Sequence, residues 1–155
     1  MLRSLIDRFE SPQLATLRSI SLFRQVAASE LRTIRGLMHH RTYLKDEIIF
    51  DEGEEGQAIY FILHGKVLIC RQGRPIEGVI AELGAGQCFG EMALLDNAPR
   101  MAQVRALENC ALDVLFRDDF LRLIQTHSHI ASKLSLELAR MMGERLRRTV
   151  NNFVL

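Results

Sequence analysis

The residues best suited to chemistry lie in one run, Phe89-Gly90-Glu91-Met92-Ala93-Leu94-Leu95-Asp96-Asn97-Ala98-Pro99-Arg100-Met101-Ala102-Gln103-Val104. Gly90 to Leu95 suits one or two helical turns, too short to hold without neighbours. A helix start presents unpaired N–H groups to an anion, and a glycine there lets the anion approach without a Cβ in the way. Asp96-Asn97-Ala98-Pro99 turns the chain and sets Arg100 at the mouth of the next element, from which its planar fork can return to the same phosphate. Glu91 would repel that phosphate unless its carboxylate faces a hydrogen-bond donor, and a ribose 2′-hydroxyl is one. The set describes a phosphate cyclised onto a ribose, with the base left to an apolar wall. A plainer arrangement also fits, in which Gly90 permits a turn and Glu91 pairs with Arg100 at the surface for about 0–1 kcal/mol. The residues alone leave both open.

The elements that must position this run are read from glycine and apolar spacing. Eight of the ten glycines fall between Gly53 and Gly90, so the middle of the chain is built of turns. Between them, 48–50, 59–63, 67–70 and 79–81 read as strands, and 103–107 and 111–116 add two more. Leu63-His64-Gly65-Lys66-Val67 reads as a tight hairpin, with Gly65 supplying a positive φ. The flanks carry helical spacing instead, over 2–20, 29–38 with Ser29 as N-cap, 117–125, and 128 to about 151 with Ser128 as cap. The fold class expected is mainly β with flanking α: an antiparallel β-barrel of double-stranded β-helix or jelly-roll type, with N-terminal and C-terminal helices. Its parts are an N-terminal helical bundle (1–38), a barrel (39–116) containing the cassette 89–104, and C-terminal helices (117–155).

Composition narrows the function classes. At 155 residues one core is expected. Lys and Arg total 20 against 19 Asp and Glu, a net charge of +1, which gathers neither nucleic acid nor a membrane surface, so any anion must be met locally. No apolar run approaches the roughly 20 residues of a membrane span, and the interleaved charges of 1–10 do not read as a secretory signal, which makes the cytoplasm the expected compartment. Cys70, Cys88 and Cys110 are odd in number and set in apolar surroundings, so they read as buried thiols. His39-His40 and His127-Ser128-His129 lack a completing carboxylate and give no metal site, and no nucleophile–base set suggests an enzyme.

The cassette, together with Ser21-Leu22-Phe23, Glu52-Gly53-Glu54-Glu55-Gly56, Tyr60-Phe61-Ile62-Leu63-x-Gly65 and Gly84-x-Gly86, resembles the cyclic nucleotide-binding domain family over roughly residues 20–140. That family's phosphate-binding cassette runs Phe-Gly-Glu, aliphatics, a variable turn, then Pro-Arg-x-Ala-x-Val, here Phe89 to Glu91 and Pro99 to Val104 with Ala102 between. The resemblance implies that Glu91 accepts the ribose hydroxyl, that Arg100 pairs the cyclic phosphate, and that backbone groups of Gly90, Met92, Ala93 and Met101 complete the cradle. Ile69, Ile80 and Leu83 are the candidates to pack on the base. Met101 stands where the family often has Ala, Ser or Thr, Thr going with guanine recognition, which favours cyclic AMP over cyclic GMP. Gln57 replaces an Asp usual after the Glu-Gly turn.

The function so implied is a cyclic nucleotide-binding regulatory domain with no cofactor. The competing class is a degenerate interaction module that keeps the fold and no longer binds nucleotide. No winged helix, kinase or channel follows Leu155, so the output is expected from an effector protein or from a homodimer built on the last helix, with no direct contact to nucleic acid or membrane. In that helix Ile130, Leu134, Leu138, Met142, Leu146 and Val150 recur every four residues. The stripe drifts around the helix, so its two halves should face different neighbours, with Arg145, Arg147 and Arg148 either meeting a partner or suiting the helix dipole.

Overall fold

A computed structural model describes residues 11–153. Helices α1 (Pro12–Ser19) and α2 (Ala28–Arg35) flank a 3-10 turn at Ser21–Phe23. Eight strands follow: β1 (His39–Tyr43), β2 (Ile48–Phe50), β3 (Ala58–His64), β4 (Lys66–Arg71), β5 (Arg74–Gly84), β6 (Cys88–Phe89), β7 (Gln103–Ala106) and β8 (Cys110–Phe116). A second 3-10 turn, Glu91–Leu94, separates β6 from β7, and the chain closes with α3 (Arg117–Thr126) and α4 (Ser128–Phe153).

The strands form two antiparallel four-stranded sheets, in the orders β1-β8-β3-β6 and β2-β7-β4-β5. Among the described residues no ladder joins one sheet to the other, so the expected mainly-β architecture with flanking helices is found as two antiparallel sheets, and the ladders do not close into a barrel. Phe50, Val67, Val104 and Ala106 of one sheet and Ile62, Phe89 and Leu112 of the other share one buried cluster between them. Ile59, Phe61, Leu63 and Leu115 point the other way and pack against α1, α2 and the first half of α4. Because β3 is buried on both faces, its near-continuous apolar run Ala58 to Leu63 shows little of the alternation of a half-exposed strand.

Several local expectations are refined. The periodic segment 2–20 falls partly outside the described residues; within them Pro12–Ser19 is helical, with the Ser11 hydroxyl accepting from the Leu14 N–H at 3.2 Å. Ser29 is not the cap of α2: that position is Ala27, and Glu30 reaches back to accept from its N–H at 2.9 Å. Ser128 is the first residue of α4, following the α3 cap residue His127. His40 donates to or accepts from the buried Asp113 through Nδ1 at 2.9 Å, an edge-strand pairing between β1 and β8. Gly65 does turn the β3–β4 hairpin at φ 86°, and a Cβ there would stand 2.5 Å from the Asn109 carbonyl.

The three cysteines are free and buried. Burial raises each thiol, Cys88 to about 11. Only the thiolate attacks a disulfide reagent, and a raised value leaves little of it at pH 8. A chromogenic disulfide reagent at that pH should react slowly with the folded chain and release three equivalents on unfolding; a rapid stoichiometric reaction of the native protein would contradict this burial.

Candidate functional site

The cassette begins where β6 ends. Gly90 adopts φ 77°, a left-handed backbone that glycine tolerates and most residues do not. It also makes room: a Cβ at this position would lie 2.7 Å from Nη1 of Arg100 and 3.1 Å from the Ala58 carbonyl. The reversal at Gly90 starts the 3-10 turn Glu91–Leu94, whose Ala93 N–H donates back to the Gly90 carbonyl at 3.1 Å. The expected short helical segment is therefore a single tight turn. Ala93 and Leu94 anchor it by burial, whereas Met92 is nearly half exposed.

The return arm is pinned by the Glu52–Gly56 turn. The Arg100 N–H donates to the Glu54 carbonyl at 2.7 Å, the Gly53 N–H donates to the Arg100 carbonyl at 2.8 Å, and Glu55 bridges Pro99. From this fixed backbone the Arg100 side chain crosses to the first arm. Its Nη2 donates to the Ala58 carbonyl at 2.8 Å and its Nη1 to the Gly90 carbonyl at 3.2 Å. The guanidinium lies 4.0 Å above the Phe50 ring, a cation–π contact that completes its support. Burial pulls its pKa below the ordinary arginine value, yet a guanidinium remains charged in any such setting.

These elements wall a cavity of about 570 Å³ between β4, β5, β7, the cassette and α4, a size typical of small-molecule sites. Phe89, Gly90, Glu91, Met92, Ala93, Arg100, Met101 and Ala102 all line it, and so do Ile69, Ile80 and Leu83. Ile69 and Leu83 are half-buried and lean on the inter-sheet core, while Ile80 is exposed on β5. Phe89 is mainly a core residue, stacked on Tyr60 at 5.0 Å. Met101 is 70% exposed and stands at the rim without filling the cavity. Its carbonyl accepts from Arg71 Nη1 at 3.2 Å, and Arg71 is in turn paired with Glu52 at 2.8 Å.

Two features escape the sequence reading. Glu91 is not paired with Arg100 and is not at the surface: it is 3% exposed, and Oε1 forms an ion pair with Arg145 of α4 while Oε2 is buried without a partner. Of the arginines at 145, 147 and 148, Arg145 and Arg148 line the cavity and Arg147 does not. Arg117, at the start of α3, directs Nη1 to the carbonyls of Gly56, Ala93 and Asp96 at 3.0, 3.1 and 2.7 Å. No local signal marks either role, since each joins segments distant in the chain. A basic residue opening a helix, against the dipole, is the one hint that Arg117 is held by something else.

Residues 40–127 match the family model described as the cyclic nucleotide-binding domain. The chain is 38% identical over 126 residues to the cyclic AMP receptor protein of Thermus thermophilus, across 79% of this chain and 57% of that one. It is 32% identical to a cAMP-dependent protein kinase regulatory subunit of Debaryomyces hansenii, across 70% of this chain and 23% of that one. Among solved structures, the catabolite activator protein of Thermus thermophilus superposes with a TM-score of 0.76 at 34% identity, covering 86% of this chain and 61% of that one. The chain thus spans little more than half of the first relative and under a quarter of the second.

Proposed function

This chain belongs to the cyclic nucleotide-binding domain family, and we propose that it is a regulatory domain whose cavity takes a cyclic nucleotide, cyclic AMP in preference to cyclic GMP. The observation that carries the reading is the joint placement of Arg100 and Glu91 on one cavity wall, a charged fork beside a buried carboxylate of which one oxygen lacks a donor. The Arg100 fork meets the ring phosphate, Glu91 takes the ribose 2′-hydroxyl, and the base lies along Ile69, Ile80 and Leu83. Met101 brings no hydroxyl to the rim, so a guanine gains no side-chain hydrogen bond from that position. The names of two relatives, a cyclic AMP receptor and a cAMP-dependent kinase regulatory subunit, support the choice of adenine.

Beyond the buried Ile130, Leu134 and Leu138, the distal half of α4 leaves Leu146, Val150 and Phe153 exposed, an apolar face suited to a partner helix. Ligand acts on that helix only as far as it favours one arrangement over another. Arg117 supplies a route, tying the cassette turn to the start of α3.

Isothermal titration with cyclic AMP, cyclic GMP and 5′-AMP tests the reading. Saturable binding is expected for the cyclic forms, tighter for cyclic AMP, with the open-ring monophosphate much weaker. The absence of heat from either cyclic nucleotide would leave the interaction-module alternative, in which Arg145 is the permanent partner of Glu91.

A further inference from the structure

We infer that Arg71 is a positioning residue of the phosphate end of the cavity, occupying the Met101 carbonyl so that the return arm of the cassette offers a ligand donors and no free acceptor. The inference deepens the reading of the cavity as a cyclic nucleotide site and rests on it. Its first ground is the use that residues 100–102 make of their backbone groups. The Arg100 carbonyl accepts from the Gly53 N–H at 2.8 Å, and the next carbonyl, that of Met101, accepts from Arg71 Nη1 at 3.2 Å. Among the described residues the N–H groups of Met101 and Ala102 have no acceptor, although both residues line the cavity. A free carbonyl here would repel a phosphate, and a free N–H attracts one. Because C=O and N–H point in opposite senses across a trans peptide, drawing the Met101 carbonyl to Arg71 also fixes the direction of the Ala102 N–H.

The second ground is that Arg71 is itself held. Its Nη1 donates to Glu52 Oε1 at 2.8 Å, and Glu52 Oε2 accepts from the Gln72 N–H at 3.0 Å. The Gln72 N–H and the Arg71 guanidinium keep the Glu52 carboxyl below the usual carboxylate range, so it is charged at neutral pH. Both of its oxygens are committed. Glu52 thereby ties the tip of the β4–β5 hairpin to the turn whose Gly53 holds the Arg100 carbonyl. Arg71 lines the cavity and its side chain is exposed. Without Glu52 it would be free to swing to the phosphate and release Met101. Exposed ion pairs add little to stability, so a pair that joins three segments at the rim of the site is accounted for by what it orients.

The test is isothermal titration of cyclic AMP, and of its two diastereomers with sulfur in place of one or the other exocyclic phosphate oxygen. The proteins are the wild type, Arg71→Ala, Arg71→Lys, Glu52→Gln and the Arg71→Ala, Glu52→Gln double variant. Arg71→Ala should weaken cyclic AMP by roughly three- to tenfold, somewhat less than the loss of a direct hydrogen bond to a charged group. It should also change the ratio of the two diastereomer affinities by about threefold, because a displaced donor serves one oxygen and not the other. Arg71→Lys keeps the charge without the fork and should recover part of the loss. Glu52→Gln should weaken binding in the same direction and add little once Arg71 is removed. Should Arg71→Ala fail to fold, Glu52→Gln carries the comparison, since its amide oxygen still accepts from Gln72.

Wild-type affinity in Arg71→Ala overturns the inference alone. So does an equal loss for both diastereomers, the mark of a merely structural role, or a loss that disappears when the salt is raised from about 0.1 M to about 0.5 M, the mark of long-range attraction. A wild type that binds no cyclic nucleotide overturns the cavity reading beneath it as well.

Discussion

Arg100→Ala is expected to remove cyclic nucleotide binding almost entirely. Truncating one partner of a desolvated charge pair costs about 2–5 kcal/mol, a loss of roughly thirtyfold to several thousandfold in affinity. The upper part of that range applies here because the fork is held in place before any ligand arrives. Two of its N–H groups are committed to the Ala58 and Gly90 carbonyls and its face is stacked on Phe50, which leaves further N–H groups for a phosphate. Little orienting entropy then remains to be lost on binding. The same substitution strands two carbonyls, so a stability loss of about 1–3 kcal/mol accompanies it. Titration and thermal unfolding of the same samples separate the two effects. Arg100→Lys keeps the charge without the fork and should fall between. Binding by Arg100→Ala within about threefold of wild type would show that the phosphate is held elsewhere.

The parts of this site that were legible in the sequence are those that are contiguous. Gly90, Glu91, Pro99 and Arg100 sit in one run whose turn chemistry and residue types constrain each other, and the structure does bring that run to one cavity wall. The hairpin at Gly65 was legible for the same reason, a single backbone demand met by a single residue type. Strand β5 was not. Only 79–81 reads as extended, because Arg74, Pro75, Glu77 and Gly78 look like a turn; yet β5 is an edge strand, where a proline breaks no interior ladder and charges are welcome. Strand β1, His39–Tyr43, is polar and largely exposed, and only its pairing with β8 makes it a strand. Tertiary pairing supplied what propensity withheld.

The last helix shows the same division within one element. Its drifting apolar stripe predicts different surroundings for its two halves, and Ile130, Leu134 and Leu138 are buried whereas Leu146 and Val150 are exposed. Which of its arginines turns inward depends on where Glu91 lies after folding, and nothing within 128–153 encodes that. The plainer pairing of Glu91 with Arg100 was attractive because the two are near in sequence. It fails because both side chains are supported by other groups: Arg100 by backbone carbonyls of β3 and β6–cassette, and Glu91 by α4.

Arg117→Ala should be the most damaging substitution outside the cavity. Its guanidinium joins three carbonyls from three places, Gly56 before β3, Ala93 in the 3-10 turn and Asp96 in the cassette loop, to the first residue of α3. A cation at that end of a helix is unfavourable by about 0.3–1 kcal/mol, so its presence is repaid by those bonds. Removing it relieves the dipole term but releases the carbonyls, at a net cost of about 2–4 kcal/mol. For a chain of this size that corresponds to a fall in Tm of roughly 4–16 °C. Affinity should fall too, although Arg117 does not itself line the cavity, because the turn bearing Glu91 and Ala93 is no longer fixed before ligand arrives. Ligand would then have to order it, so cyclic AMP should raise the Tm of Arg117→Ala by less than it raises that of the wild type at equal concentration. An Arg117→Ala protein with wild-type Tm and wild-type affinity would mean that the cassette is held by its own packing, and that α3 receives nothing from it through this residue.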